Sequence, residues 1–502
     1  MTNTNRCTNL RKAFVTREIS NMLDGLSKLV KINTVFDPAT AMDGAPFGKG
    51  PADGLVTFLS MAEDAGMKVK NYEGYAGEIT LCNADDYDKM DTDEMDMVGI
   101  LGHIDVVDAA SDWHTPPFEA VIEDGKVYGR GTSDDKGPLV SSLYAMKYIS
   151  ENNLLPAGSC IRLIVGSDEE EGLQCIEYYN KHALRMPNRS FVPDGYFPLV
   201  NCEKGLIDFD LTFAVTPCQS AEARITALSG GSGRNIVAGN AACTIEFSNA
   251  NRAEILGKLN SQPALTIEEA LEGCIAKASG VSTHAMSPEK GENAISKLIH
   301  ALKSSGVTFD CQDFIDAYDE LIGLGYNGEK LGINYTDELS GELTFNVGTI
   351  SFDRSVASSS SSDSSDSSNS MSPTINLACN MRYPVSYTKD AILENMVGKL
   401  EATGFTYTET LELPSLFIDR NDPLIEKLME AYQEITGDTE HEAFSIGGAT
   451  YARSIPNAVS FGPLFPYETE LAHESNECLA IESLEKMTEI YILALEKLLY
   501  QK

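Results

Sequence analysis

The feature that most constrains this chain is a repeated ending: short apolar runs that stop abruptly at residues able to hold cations. Segment 97–107 (MVGILGHIDVV) has the pattern of a buried strand and runs into His103 and Asp105. A helical pattern follows over 134–152, with Leu139, Leu143, Met146 and Ile149 on one face. Segment 161–165 (IRLIV) is a second buried strand, followed by the four carboxylates of 168–171 and a helix-like stretch at 174–182. Phe191 and Val192 end a third candidate strand just before Pro193, Asp194 and Gly195. This alternation predicts an α/β domain around a mostly parallel central sheet, and in such sheets ligands sit beyond the carboxyl ends of the strands.

From about Gly205 the texture changes. Strand-like stretches at 223–227, 242–247, 342–349 and 374–382 mix with helical ones at 294–302, 314–322 and 391–402. That mixture predicts a separate α+β domain. Amphipathic helices at 424–435 and 484–499 then return to the texture of the start. The simplest layout is one domain inserted in another: 1–205 as the first part of the host, 206–413 as an inserted lid, and 414–502 as the second part of the host. At ~150 residues per domain, 502 residues suggest roughly three domains by length alone, and a hydrophobic share of 42% is ample for large cores. The run SSSSSDSSDSSNS at 358–370 cannot bury apolar surface and is expected to be a solvated loop between two strands.

Charge narrows the classes of partner. There are 75 Asp and Glu residues against 38 Lys and Arg, a net charge of −37. Such a chain is repelled by phosphate backbones and anionic lipid, so neither nucleic acid nor a membrane surface is an expected partner. The start, MTNTNRC, has no apolar segment of the signal-peptide kind, and no run approaches the ~18 apolar residues of a membrane span. Eleven scattered cysteines without a C-x-x-C pair suit reduced thiols and a cytoplasmic location.

Taken singly, each candidate site is more commonly structural than functional. A His-x-Asp such as His103–Asp105 is usually a hydrogen-bonded pair, and adjacent Asp residues such as Asp134 and Asp135 commonly cap helices. The glycine-rich loop before them matches neither phosphate-binding pattern. Four carboxylates in a row usually form a solvated turn, yet at a strand end neighbouring residues point to different sides. One Glu can then hold a metal while its neighbour stays free as a base. Asp194 adds an oxygen ligand, and His473 a distant nitrogen.

In order, the segments GHIDVV (102–107), Trp113 with Pro117–Phe118 and Asp124–Gly125, YGRGTSDDKG (128–137), GSDEEEG (166–172), VPDG (192–195) and AHESNE (472–477) resemble one family. It is the di-zinc peptidase family of dipeptidases, aminoacylases, desuccinylases and carboxypeptidase G, in metallopeptidase clan H. Five further segments are similar to the bacterial dipeptidase V subgroup, which includes Xaa-His dipeptidases: GRNIV (233–237), STHA (282–285), PEKGENA (288–294), NMRYP (380–384) and GGATYAR (447–453).

The resemblance implies two zinc ions per chain, with manganese or cobalt as substitutes. One would sit on His103, Asp134 and Asp194, the other on Asp134, Glu170 and His473, with Asp134 bridging. Glu169 would be the general base and Asp105 the residue that orients His103. In the lid, His284 would face the developing oxyanion, and Asn235 and Arg382 would grip substrate. The activity implied is hydrolysis of dipeptides or short peptides with a free amino terminus, since Asp194 stands where acylases and carboxypeptidases of the family tend to carry Glu. An N-acyl-amino-acid deacylase or carboxypeptidase on the same site is the enzymatic alternative, and a non-catalytic cation-binding homologue the other. Long lids in this family supply their histidine within one chain, which implies a monomer. Asp108, Ala238 and Ala449 depart from the family's usual residues, and Ala449 bears on the size of the substrate pocket.

Overall fold

The computed structural model describes residues 3–355 and 373–500, so the Ser- and Asp-rich run at 358–370 lies outside the described residues. The chain forms two compact units. One holds the residues up to Asn201, Phe417–Phe444 and those from Thr450 onward; the other holds Cys202–Leu416 and Ser445–Ala449.

The first unit is built on a twisted sheet whose strands run in the spatial order Lys68–Tyr72, Ala76–Cys82, Ser159–Gly166, Asp96–His103, Arg189–Val192 and Ala458–Ser460. Asp96–His103 lies parallel to both of its neighbours, with His103 in register with Gly166. Ala458–Ser460 continues the parallel set beside Arg189–Val192. At the other end, Lys68–Tyr72 pairs antiparallel with Ala76–Cys82, which pairs antiparallel with Ser159–Gly166. All of Ser159–Gly166 and all but the first residue of Asp96–His103 are buried. Burial of both faces is what makes such strands read as continuous apolar runs rather than alternating ones.

Five helices, Asn3–Val30, Lys49–Asp64, Lys136–Glu151, Pro423–Thr436 and Ile481–Leu499, share the core of this unit with the sheet. Leu139, Leu143, Met146 and Ile149 of Lys136–Glu151 are all fully or almost fully buried, the stripe that their spacing predicts. Lys136, at the start of this helix, is itself buried. Its ammonium donates to the carbonyls of Leu29 (3.1 Å) and Ile32 (3.0 Å), where the end of Asn3–Val30 leaves acceptors without helical partners.

The second unit has its own core, on an eight-stranded antiparallel sheet in which Gly205–Ala214 lies between Thr374–Tyr383 and Phe405–Leu413. Ile207, Phe209, Leu211 and Phe213 alternate inward along Gly205–Ala214. Helices Ala294–Ser304 and Gln312–Leu321 contribute to the same core. The architecture is therefore the expected one, an α/β unit with a mostly parallel sheet plus an α+β unit. Among the described residues, no helix is long and apolar enough to cross a membrane.

Candidate metal centre

Three strand ends of the first unit deliver the site. His103 is the last residue of Asp96–His103, Glu169 and Glu170 follow Ser159–Gly166, and Asp194 follows Arg189–Val192. Asp134 lies in the loop before Lys136–Glu151, and His473 comes from the loop before the C-terminal helix, with a left-handed φ of 65°.

Around Asp134 the contacts are close. Its Oδ1 lies 3.0 Å from His103 Nε2, and its Oδ2 lies 3.1 Å from His473 Nε2. His473 Nε2 is also 2.9 Å from Glu170 Oε2, and His103 Nε2 is 3.8 Å from Asp194 Oδ2. Two overlapping groups have ligand atoms within 4.8 Å of one another: His103, Glu169 and Asp194, and His103, Asp134 and Glu170. The geometry thus brings Glu169 as near to His103 and Asp194 as a ligand would be, so proximity alone does not separate its role from theirs.

The loop after Ser159–Gly166 divides its carboxylates by direction. Asp168 Oδ2 accepts from Gln174 N (3.0 Å) at the start of the helix Gln174–His182, Glu169 and Glu170 enter the site, and Glu171 is exposed. Asp105 holds two pieces together. Its backbone carbonyl is 3.1 Å from His103 Nδ1, and its Oδ2 accepts from Glu170 N at 3.0 Å. The ring contact of His103 thus runs to the backbone of Asp105, while the carboxylate Oδ1 stands at 3.6 Å. With Nδ1 bonded to a carbonyl, Nε2 is the nitrogen presented to a cation. Gly102 is required for this packing: a Cβ there would lie 2.3 Å from Asp135 Oδ2, the oxygen that accepts from His103 N.

Electrostatics show the carboxylates straining against one another. Burial, reinforced by the Asp134 charge, pushes Asp194 up to about 7 and also raises Glu170. Burial and three neighbouring carboxylates hold Glu169 well above the usual carboxylate range. Asp134 goes the other way: its hydrogen bonds to His103 and His473 outweigh burial and lower it. The carboxylates of Asp134 and Glu170 push His473 up to about 11.

This donor set fits divalent cations. Imidazole nitrogens and carboxylate oxygens are ligands of zinc, manganese and cobalt, and ligands about 2.0–2.1 Å from a tetrahedral zinc stand ~3.3 Å apart. Positive charge is also what would keep such crowded, buried carboxylates ionised.

The second unit positions the other three candidates. Asn235 is exposed, and its carbonyl accepts from Ala285 N (2.8 Å), while Ile236 and His284 form a β-bridge, so the Asn235 and His284 loops are adjacent. His284 Nδ1 accepts from Met286 N at 3.1 Å, which leaves its proton on Nε2. Desolvation and the Arg382 charge push the imidazole down to about 4, so it is neutral at pH 7. Arg382 is buried and donates to Asn380 Oδ1 (3.1 Å) and Gly447 O (2.6 Å).

One residue that sequence reasoning passed over stands out. Glu477, the last residue of AHESNE, is fully buried and gathers the Asp134 loop around its carboxylate. The signal available was a Glu four residues after His473, with no partner apparent from spacing.

An α/β sheet that collects histidines and carboxylates at its strand ends defines a class of metal-dependent enzyme. The family model described as "Peptidase family M20/M25/M40" matches residues 99–497, and the chain belongs to that family. It is 33% identical over 490 residues to "Putative dipeptidase YtjP" of Bacillus subtilis (strain 168), covering 96% of this chain and 98% of that protein. Among solved structures, the fold is similar to the dipeptidase Dug1p of Saccharomyces cerevisiae, with a TM-score of 0.58 at 12% identity, covering 98% of this chain and 99% of that one. It is also similar to aminoacylhistidine dipeptidase from Vibrio alginolyticus, with a TM-score of 0.53 at 15% identity, covering 96% and 97%. The chain is thus an enzyme of a metallopeptidase family.

Proposed function

We propose that the enzyme hydrolyses the peptide bond of dipeptides or short peptides with a free amino terminus, using two divalent cations, zinc in the first instance. The observation that carries this reading is Asp134, whose two carboxylate oxygens each face a different histidine, His103 and His473. One carboxylate can bridge two cations in that way. His103, Asp134 and Asp194 would hold one cation, and Asp134, Glu170 and His473 the other. The curated relative's name supports the choice of dipeptides over longer chains.

When bound, the cations supply Lewis acidity, polarising the scissile carbonyl and acidifying the attacking water. Glu169 takes the water's proton on its carboxylate and passes it to the leaving amine. The positive charge of bound cations would offset the burial and carboxylate repulsion that raise Glu169 and leave it ionised, free to accept that proton. Asp105 fixes the tautomer of His103 through its carbonyl and holds the Glu170 backbone through its carboxylate. In the second unit, His284 offers a neutral Nε2–H suited to a developing oxyanion. Arg382 brings positive charge suited to a substrate carboxylate, and Asn235 an exposed amide.

The test is a panel of free and N-acetylated dipeptides, with metal analysis of the purified protein. Chelator-sensitive cleavage of the free dipeptides is expected. Preference for the blocked substrates would replace this reading with a deacylase, and absence of any chelator-sensitive hydrolysis would leave a cation binder.

A further inference from the structure

We infer that Glu477, paired with Arg130, is the positioning residue that locks the two loops carrying Asp134 and His473 into one rigid clamp. The inference rests on the two-cation reading above and adds the element that holds it in shape.

The geometry is dense and fully buried. Glu477 Oε1 accepts from Ser133 N (2.8 Å), Ser133 Oγ (3.0 Å) and Asp134 N (3.2 Å). Its Oε2 accepts from Gly131 N and from Arg130 Nη1, both at 2.9 Å. Five donors on one carboxylate account for its lone pairs, and the Glu477 carbonyl accepts a sixth hydrogen bond, from Gly129 N at 3.1 Å. Arg130 closes the figure: its Nη2 reaches His473 O at 3.3 Å and Asp108 O at 3.2 Å. Both charged side chains are essentially out of solvent, at 1% and 0% relative exposure.

A buried ion pair is weak evidence for stability, because removing two charges from water costs about as much as their attraction returns. What this pair does supply is geometric. Gly131 adopts a left-handed φ of 86°, and the amides of Gly131, Ser133 and Asp134 turn toward the Glu477 carboxylate instead of into a helix or strand. Asp134 is thereby aimed by its own backbone N–H, and His473 is held by its own carbonyl. Since Asp134 would serve both cations, loosening it should weaken both together, whereas loss of Asp194 or His473 should weaken one.

Two readouts test this. In the metal-free protein, amide hydrogen exchange over 129–134 should quicken at least ten-fold in Glu477→Gln, because the new NH2 faces the donors of Gly131 and Arg130. In the metal-loaded protein, chelator competition and the visible spectrum of the cobalt form should show both equivalents weakened by roughly 10–100-fold. Glu477→Gln strands a buried guanidinium, so the double variant Arg130→Met/Glu477→Gln is the control for folding. It should regain thermal stability while metal affinity stays low. Affinity that recovers along with stability overturns the inference, as does exchange that is unchanged in Glu477→Gln. If the wild-type chain holds fewer than two cations, the two-cation reading fails, and the exchange measurement still decides the clamp.

Discussion

Asp134 and Glu169 are separated by what each loses on substitution. Asp134→Asn should release both cations, since each would share that carboxylate, and elemental analysis after gel filtration reads the loss directly. Glu169→Ala should keep wild-type cation content while turnover falls about 10²–10⁴-fold, the contribution of a positioned base. A lost cation in that variant would make Glu169 a ligand, the role its nearness to His103 and Asp194 also permits. At this scale much of the site was legible, because His103, Glu169, Glu170 and Asp194 each follow an apolar run that announces its own end. Glu477 was not. Its partners are backbone amides of a loop some 340 residues earlier, and nothing in the spacing marks a backbone acceptor.

Between elements, the long N-terminal helix is tied to Lys136–Glu151 by Glu18, which accepts from Lys147 Nζ at 2.9 Å beside Asn21 and Arg17. Burial alone would raise the Glu18 carboxyl, but these three hydrogen bonds win and bring it down to about 2. A pKa lowered on folding contributes stability above the unfolded value and loses it as pH falls through the folded one. Glu18→Gln should therefore cost about 2 kcal/mol at pH 7, with the gap to wild type closing between about pH 5 and 2 in urea titrations. A gap that held constant to pH 2 would contradict this assignment. The strand Ala76–Cys82 shows why some elements escaped sequence reading. It is buried throughout yet carries Gly77, Glu78 and Thr80, which break any apolar pattern. Glu78 is tolerated there because the hydroxyls of Tyr72 and Tyr179 donate to it, at 3.1 and 2.8 Å. Only folding brings those partners together, one from a neighbouring strand and one from the helix Gln174–His182.

For the whole molecule, the cations should be part of the stability. Chelation should lower the melting temperature, and titrating zinc back should raise it in a concentration-dependent way, each site adding about 2.7 kcal/mol of stability at one hundred times its dissociation constant. A melting temperature indifferent to chelator would show that the cluster is held by protein contacts alone. A long lid that supplies His284 within its own chain implies that the active species should sediment as a monomer, and an obligate active dimer would contradict that. Of the net charge of −37, two dications would offset only four units. Much of the remainder lies on exposed Asp and Glu side chains, where it favours solubility.

The pairing of Leu206 with Leu413 gives the second unit a particular kind of independence. Its first and last strands are antiparallel neighbours, so the chain departs and returns through a gap of one strand spacing, about 4.8 Å. A two-residue turn such as Asn-Gly across that gap would close the pair into a hairpin. Apart from the short Ser445–Ala449 segment, which joins this unit separately, evolution can therefore enlarge, trim or exchange it at this joint, and an engineer can cut a circular permutant there, without rerouting a strand of the sheet that bears the cation ligands.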